Sequence, residues 1–517
     1  MLAKHKIEQH TLKMILSREN LNALSASKLT LPAAQIFELP EKVLQFGTGV
    51  LLRGLPDYFI DKANRQGIFN GRVAVVKSTS GTTTEFDQQD SLYTLCVRGL
   101  ENGQPVTANI VSSAISRVIS ATEDWLSVLA IAQSAALKII VSNTTEVGIQ
   151  LVNESIAQQP PVSFPAKVLA VLYERFKAFG GAKDSGLVII ATELIPDNGA
   201  KLKQIVLELA NFNALDNDFI NWLHAENTFC NSLVDRIVPG KPDAATLANL
   251  QAELGYTDHL LSMAEPYRLW AIEGDEKVAA TLTFAQADAG LIIADDIEIY
   301  RELKVRLLNG THTLSSGIAF LAGIDTVKHA MDNELLSSYI EEVMATEIGP
   351  AIPYAVSEAA TSAFASSVKD RFANPAIRHL WLNITFQYSM KMKIRILPLL
   401  LNYYQLFNRV PAYMALGFAA YLRFMQVDKQ ENGQFYGLFD NASYLITDDN
   451  AAYFAEQSKK DAPTYVKDVL SDTHFWGTSL SDLPGFVEAV GLKYQLIAQE
   501  GIDVALAELT PLKLNSF

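Results

Sequence analysis

Val43-Leu-Gln-Phe46 runs directly into Gly47-Thr-Gly49-Val-Leu-Leu-Arg53-Gly54, and a helical pattern follows over residues 57–62. A short apolar run that breaks at a glycine pair and resumes as a helix is the strand–turn–helix opening of a dinucleotide site. There the first glycine makes the turn and the second lets backbone approach a pyrophosphate. The helix N-terminus then adds N–H donors. The usual third glycine belongs at Leu52, and Gly54 stands two places later. A plain structural turn would carry the same pair, so this stretch alone leaves both readings open.

Similar apolar runs, bounded by turn residues, recur at 73–76, 137–141, 187–191 and 291–294. Runs without polar alternation suit strands buried on both faces of a parallel sheet. Helix-period segments at 123–132, 166–179 and 203–210 alternate with them, which predicts a doubly wound α/β domain. After Asp296 the periodicity is helical, at 304–321, 332–346, 374–402, 413–426 and 483–498. The expected organisation is an N-terminal extension over 1–35, with some helical character, then an α/β domain over 36–298 and a helical domain over 299–517. The polar tract 428–449, rich in Asn, Gly and Asp, reads as a surface excursion.

With 42 Lys and Arg against 57 Asp and Glu, the net charge is −15, which argues against a nucleic-acid partner. An anionic ligand would need a local basic cluster to hold it against that field. Two cysteines, Cys96 and Cys230, exclude a disulfide framework and a thiolate zinc site. The first forty residues hold no apolar block of a secretory signal, and no window offers eighteen apolar residues; 394–408 comes nearest and contains Arg395. These features predict a soluble protein of the reducing cytoplasm with no membrane partner.

The second apolar run ends in Lys77-Ser-Thr-Ser80, where a site for NAD usually places an acid on the ribose. Lysine and hydroxyls would tolerate a 2′-phosphate, so this feature leaves NAD and NADP open. Lys304-Val-Arg-Leu-Leu-Asn309-Gly-Thr-His312 carries more chemistry. In an α-helix Asn309 and His312 lie roughly 140° and 80° around from Lys304, all on one side. A desolvated lysine is a general acid or base, an asparagine amide can meet an oxyanion, and a neutral histidine can orient a hydroxyl. The same residues would also serve as a solvated lysine and a core histidine. Gly310 costs the helix roughly 1 kcal/mol against Ala unless something approaches closely there.

Lys304-x4-Asn309-x2-His312 resembles the catalytic motif of the polyol-specific long-chain dehydrogenases, the mannitol dehydrogenase family. Phe46-Gly-Thr-Gly-Val-Leu-Leu-Arg53 is similar to that family's nucleotide loop. Gln89-Asp90-Ser-Leu-Tyr93-Thr94, Val234-Asp235-Arg236-Ile237 and Arg371-Phe-Ala-Asn374-Pro375-Ala-Ile-Arg378 match it in order. Ser142-Asn143-Thr-Thr-Glu146, Glu193-Leu-Ile195, Asn198-Gly199 and Arg395-Ile-Leu-Pro398 bring the likeness to the family's hexuronate-reducing members.

The resemblance implies a Rossmann-type domain followed by a helical one, an active site between them, and no metal. It implies NADH-dependent reduction of the C3 ketone of D-tagaturonate to D-altronate, with Lys304 as general acid/base, Asn309 polarising the carbonyl and His312 assisting. Gly47, Gly49 and Arg53 would lie along NAD(H), with Asn143 and Glu146 near its ribose or nicotinamide. Reduction of fructuronate, a mannitol-type polyol activity and a non-catalytic dinucleotide sensor are the alternatives.

Two positions depart from the family pattern. Leu194 replaces a second oxyanion asparagine, with Asn198 nearby, and Asn383 replaces a substrate-facing arginine. For the carboxylate of a small-molecule hexuronate, the basic run Lys391-Met-Lys393-Ile-Arg395 is the natural partner, with Lys391 at a position the family uses for substrate. Arg378 and Arg371 come next. Asp235 is a further substrate candidate, although Asp235-Arg236 could equally be a structural ion pair.

Overall fold

A computed structural model describes residues 14–145 and 147–509. The chain divides into two compact units, Met1–Arg98 with Pro105–Ile297 and Gly99–Gln104 with Glu298–Phe517.

The first unit is built on six parallel strands: β1 (Glu41–Phe46), β2 (Arg72–Lys77), β3 (Ile115–Ser120), β4 (Ile139–Ser142), β5 (Val188–Ala191) and β6 (Thr228–Cys230). Their order across the sheet is β3-β2-β1-β4-β5-β6, the doubly wound arrangement, with its reversal between β1 and β4. The strands have little polar alternation because both faces are covered. Val43, Val73, Val75, Ile139 and Val141 join one core, while Leu44, Phe46, Ala74, Val76 and Ile140 join the other. Truncating Leu44 to Ala would cost about 2–5 kcal/mol, as is usual for a fully buried leucine.

Helix α1 (Phe164–Phe179) shows how local signals set an element. Ser163 accepts the Ala166 N–H, Pro165 occupies the first turn, and Gly180 at φ +58° ends the helix.

The sequence leads to four of the six strands. Residues 291–294 do form a strand, but it pairs with Leu269–Glu273 in a separate three-stranded sheet that also holds Ser232–Asp235. A further sheet contains Tyr93–Glu101, Gln104–Ser112 and Ser262–Ala264. Over 14–35 the expected helical character is limited to 3₁₀ turns, with a second one, Ala34–Glu38, beginning at its end. Ile15 bridges Thr257, a 3₁₀ turn spans Leu21–Ala23, and Leu16, Leu21 and Leu29 pack with Leu92 and Tyr256. Residues 1–13 lie outside the described part.

The second unit is mostly helical. Helix α2 (Thr311–Leu321) packs against α3 (Ala412–Phe424), and α3 against α4 (Phe486–Glu500). Gly317 and Gly417 permit this approach: a Cβ on Gly317 would lie 3.1 Å from Ala420 backbone, and one on Gly417 2.6 Å from Leu314. Three stretches read as α-helical are instead π-helical turns, Lys304–Gly310, Val343–Ile348 and Met392–Ile396. The expected helix over 374–402 is also broken at Gln387, which sits at φ +52°.

The tract 428–449 lies at the surface, where it forms a three-stranded antiparallel meander. Its two-residue turns, Asn432-Gly433 and Asp440-Asn441, have positive φ throughout, as such hairpins require. Among the described residues no helix is long and apolar enough to cross a membrane.

Candidate active site

In the first unit the chain leaves β1 through Gly47, at φ +126°. The Gly47 N–H donates to the Val76 carbonyl of β2, and the Asn143 N–H donates to the Phe46 carbonyl at 3.3 Å. The turn and the loop after β4 therefore meet at the point where the strand order reverses, the crevice in which open α/β sheets bind ligands. A Cβ on Gly47 would lie 2.9 Å from Leu52 and 3.2 Å from the Asn143 carbonyl. On Gly49 it would meet nothing within 4 Å. The first glycine is thus fixed by conformation, and the second leaves an open approach to the uncapped helix start at Val50. At Gly54, the displaced third glycine, a Cβ would lie 2.8 Å from the Val238 side chain. Together these features fit a dinucleotide pyrophosphate.

Beneath the turn the side chains are already engaged. Glu193, buried and with no local pattern that marks it as a working residue, accepts from the Thr144 N–H at 2.8 Å, the Thr144 hydroxyl and the Ser142 hydroxyl. Asn143 donates its amide to the Thr192 carbonyl and hydroxyl, each at 3.0 Å. Arg53 lies in the interior rather than on the open face of Gly49. Its guanidinium donates to the Leu260 carbonyl, lies over Tyr93, and is held below its ordinary pKa by burial. Arg236 donates to the Glu265 and Gly54 carbonyls, and Asp235 is buried at the end of its strand.

Asn198 does not replace the missing oxyanion donor. Its amide bonds the Glu193 and Ser232 carbonyls, while Leu194 is 63% exposed. Lys77, at the end of β2, donates to the Thr79 and Ser80 carbonyls. Glu146 lies outside the described residues.

In the second unit Lys304 and Asn309 belong to one π-helical turn. With each N–H reaching five residues back, residue 309 returns over residue 304 roughly as i+4 does in an α-helix. The α-helical expectation of 140° is therefore too wide. His312, three residues further in α2, continues the same stripe. Gly310 permits the turn without being demanded by crowding, since a Cβ there would meet Ile396 at 3.5 Å.

Tyr388 fixes the end of the stripe. Its hydroxyl donates to the Thr313 carbonyl at 2.8 Å and accepts the Gly317 N–H at 3.0 Å, inserting into the helix ladder.

His312 stacks on Phe372 at 4.2 Å, with the His379 and Trp381 rings edge-on at 5.0 and 5.9 Å. Its Nε2 is buried without a hydrogen-bond partner. Burial, and then the charges of His379, Arg371, Arg395 and Lys391, hold its pKa well below the usual value, so the ring is neutral. Phe372, His379 and Trp381 were not legible as site residues because only tertiary packing brings them to His312.

The basic run divides. Lys391 donates to the Ile384 carbonyl at 2.7 Å, and burial with neighbouring Arg395 lowers its pKa to about 8. Arg395 reaches the Thr313 hydroxyl at 3.2 Å and the Asn309 carbonyl at 3.5 Å. Lys393 turns away, its ammonium 3.8 Å from the centre of the Phe475 ring. Arg371 is buried near His312, whereas Arg378 is exposed.

Comparison with known proteins agrees with this architecture. The family description "Mannitol dehydrogenase Rossmann domain" matches residues 41–286, and "Mannitol dehydrogenase C-terminal domain" matches 296–498. An altronate oxidoreductase of Halalkalibacterium halodurans is 36% identical over 482 residues, covering 91% of this chain and 93% of that protein. One from Bacillus subtilis is 36% identical over 478 residues, covering 91% and 95%. Among solved structures, mannitol 2-dehydrogenase of Pseudomonas fluorescens, in ternary complex with NAD and D-mannitol, superposes with a TM-score of 0.65 at 22% identity, covering 96% of this chain and 99% of that one. Substrate-free D-sorbitol dehydrogenase gives 0.75 at 20% identity, covering 95% and 100%.

Proposed function

The chain belongs to the mannitol dehydrogenase family and is an oxidoreductase acting on CH–OH groups, and from that premise we propose that it interconverts D-tagaturonate and D-altronate with NAD(H). The observation that carries the reading is the stripe Lys304–Asn309–His312 beside the cations Lys391 and Arg395. A uronate carboxylate calls for cations at the site, and these two lie beside the stripe.

When bound, the nicotinamide supplies or takes the hydride. Gly47 and Gly49 leave room for the pyrophosphate, and Asn143 closes the turn from the β4 side. The Lys77 ammonium is already held by two loop carbonyls, which favours NAD(H) over a 2′-phosphate ligand.

In the reducing direction the Asn309 amide, which has no protein partner among the described residues, donates to the carbonyl oxygen and stabilises its growing charge. The Lys304 ammonium then delivers the proton to that oxygen; in the oxidising direction neutral Lys304 removes it from the hydroxyl. His312, kept neutral, offers Nε2 to a substrate hydroxyl and fixes the chain's orientation. No step in this scheme is assigned to a metal.

The test is NADH oxidation by the purified protein with D-tagaturonate, D-fructuronate and D-fructose, and NADPH in parallel. Turnover of tagaturonate well above the others, with NADH preferred, is expected. Preference for fructuronate or fructose moves the assignment to those substrates. No turnover with any of them supports a non-catalytic dinucleotide sensor.

A further inference from the structure

A guanidinium withdrawn from water is costly unless an anion compensates it. Arg395 is partly withdrawn: burial alone lowers its pKa to about 10, with no acidic neighbour contributing, while its unengaged nitrogens stay open to solvent and so to a ligand. Arginine carries five N–H donors in a planar fork. Here only Nη1 is engaged, with the Thr313 hydroxyl at 3.2 Å and the Asn309 carbonyl at 3.5 Å. Among the described residues no carboxylate pairs with it, and Nε and Nη2 have no protein acceptor.

Two other interior arginines of this chain are treated differently, whereas Arg53 reaches only the Leu260 carbonyl. Arg175 donates to four carbonyls, and Arg306 is paired with Glu302.

Arg395 is also held where it is. Arg306, inside the π-turn that carries Lys304 and Asn309, donates to the Ile394 carbonyl at 2.7 Å and the Arg395 carbonyl at 3.0 Å. One π-turn therefore grips the other, and the guanidinium is fixed beside the Asn309 backbone and within electrostatic reach of His312.

Lys391 is a weaker candidate for the same task. Its ammonium is already committed to the Ile384 carbonyl and feels the charge of Asp448, and an ammonium cannot grip a carboxylate bidentately.

We propose that Arg395, through its unengaged Nε–Nη2 edge, is the residue that binds the substrate carboxylate and so selects uronates and aldonates over neutral ketoses and polyols. The proposal rests on the uronate reading above and names the side chain that enforces it. Arg306 is its positioning residue.

Two measurements keep the proposal separate from that reading. The first compares kcat/KM for D-tagaturonate and for the neutral ketose D-tagatose in wild type, Arg395→Gln and Arg395→Lys. The expected loss on tagaturonate is about 100-fold for Arg395→Gln, through KM, and about tenfold for Arg395→Lys, with a loss on tagatose at least about tenfold smaller for Arg395→Gln. The second measures binding without turnover: D-altronate should raise the thermal midpoint of the wild type more than the hexitol D-altritol does, and Arg395→Gln should abolish the difference.

Equal losses on both ketoses, or a carboxylate preference that survives Arg395→Gln, overturn the assignment. If wild type does not reduce tagaturonate yet binds hexonates through Arg395, the proposed substrate fails while the carboxylate site stands.

Discussion

The turn after β1 and the π-turn at Lys304–Gly310 each contain a glycine next to candidate chemistry, and the two glycines do different things. Gly47 is held at φ +126° with a side chain excluded on two sides, while Gly310 has helical neighbours and space for a methyl group. The contrast extends to the polar groups. Around the glycine turn Asn143, Glu193 and Lys77 already bond protein atoms, so that face offers backbone and open space. Along the π-turn the Asn309 amide, the His312 Nε2 and most of the Arg395 fork have no protein partner among the described residues. One unit is shaped to receive a ligand by its main chain, and the other presents side chains whose hydrogen bonds remain to be made.

The largest expected effect probes the second unit. Lys304→Ala should lower kcat/KM for tagaturonate by about 10²–10⁴-fold, the usual worth of a general acid, while NADH binding followed by fluorescence stays unchanged. Retained activity would remove Lys304 from the chemistry.

The glycine pair comes next. Gly47→Ala should destabilise the protein by about 1–3 kcal/mol and weaken NADH binding about tenfold, because a Cβ in that conformation meets the Asn143 carbonyl. Gly310→Ala should instead stabilise by about 0.5–1 kcal/mol with activity kept. Denaturant melts of both variants check this, and equal penalties would erase the contrast.

A smaller effect concerns His312. Its folded pKa is depressed, so its contribution to stability is complete above the unfolded value, near pH 6.5, and is lost as pH falls and the unfolded chain takes up the proton. The loss has a slope of up to about 1.4 kcal/mol per pH unit. Asp57 and Glu347, both pushed up to about 7 by burial, act with the opposite sign, contributing stability that is full at low pH and lost as pH rises through 7. The clean measurement is therefore the difference between wild type and His312→Gln: the gap in thermal midpoint should shift in favour of the variant between pH 6.5 and 5. A constant gap would mean that His312 takes up a proton in the folded state as easily as in the unfolded one.

The smallest effect is Lys393→Ala, expected to change kcat/KM by about twofold or less, because its ammonium lies on Phe475 rather than near His312. A loss approaching that of an Arg395 variant would mean that the basic run acts as a whole.

The same contrast explains what the sequence could tell. β1, β2, β4 and β5 are legible because strands covered on both faces need continuous apolar runs. β3 escapes notice because Arg117 interrupts it on the sheet edge, where it pairs with Glu41, and β6 because it has only three residues. The Lys304–Asn309–His312 spacing is legible as chemistry but not as geometry, since counting at 3.6 residues per turn cannot anticipate a π-turn. Asn432-Gly433 carries a recognisable hairpin signal in a tract read only as polar. The partners of His312 come from residues 372–381, and the interior role of Arg53 depends on Leu260; neither arrangement is local in the chain.

The most direct test of the whole account is the fate of the hydride. D-Tagaturonate would be reduced with NADH carrying deuterium at both nicotinamide C4 positions, and the product analysed by NMR. The account predicts D-altronate as the single epimer, with deuterium on the former carbonyl carbon. Another epimer, a product without deuterium, or no product would contradict it.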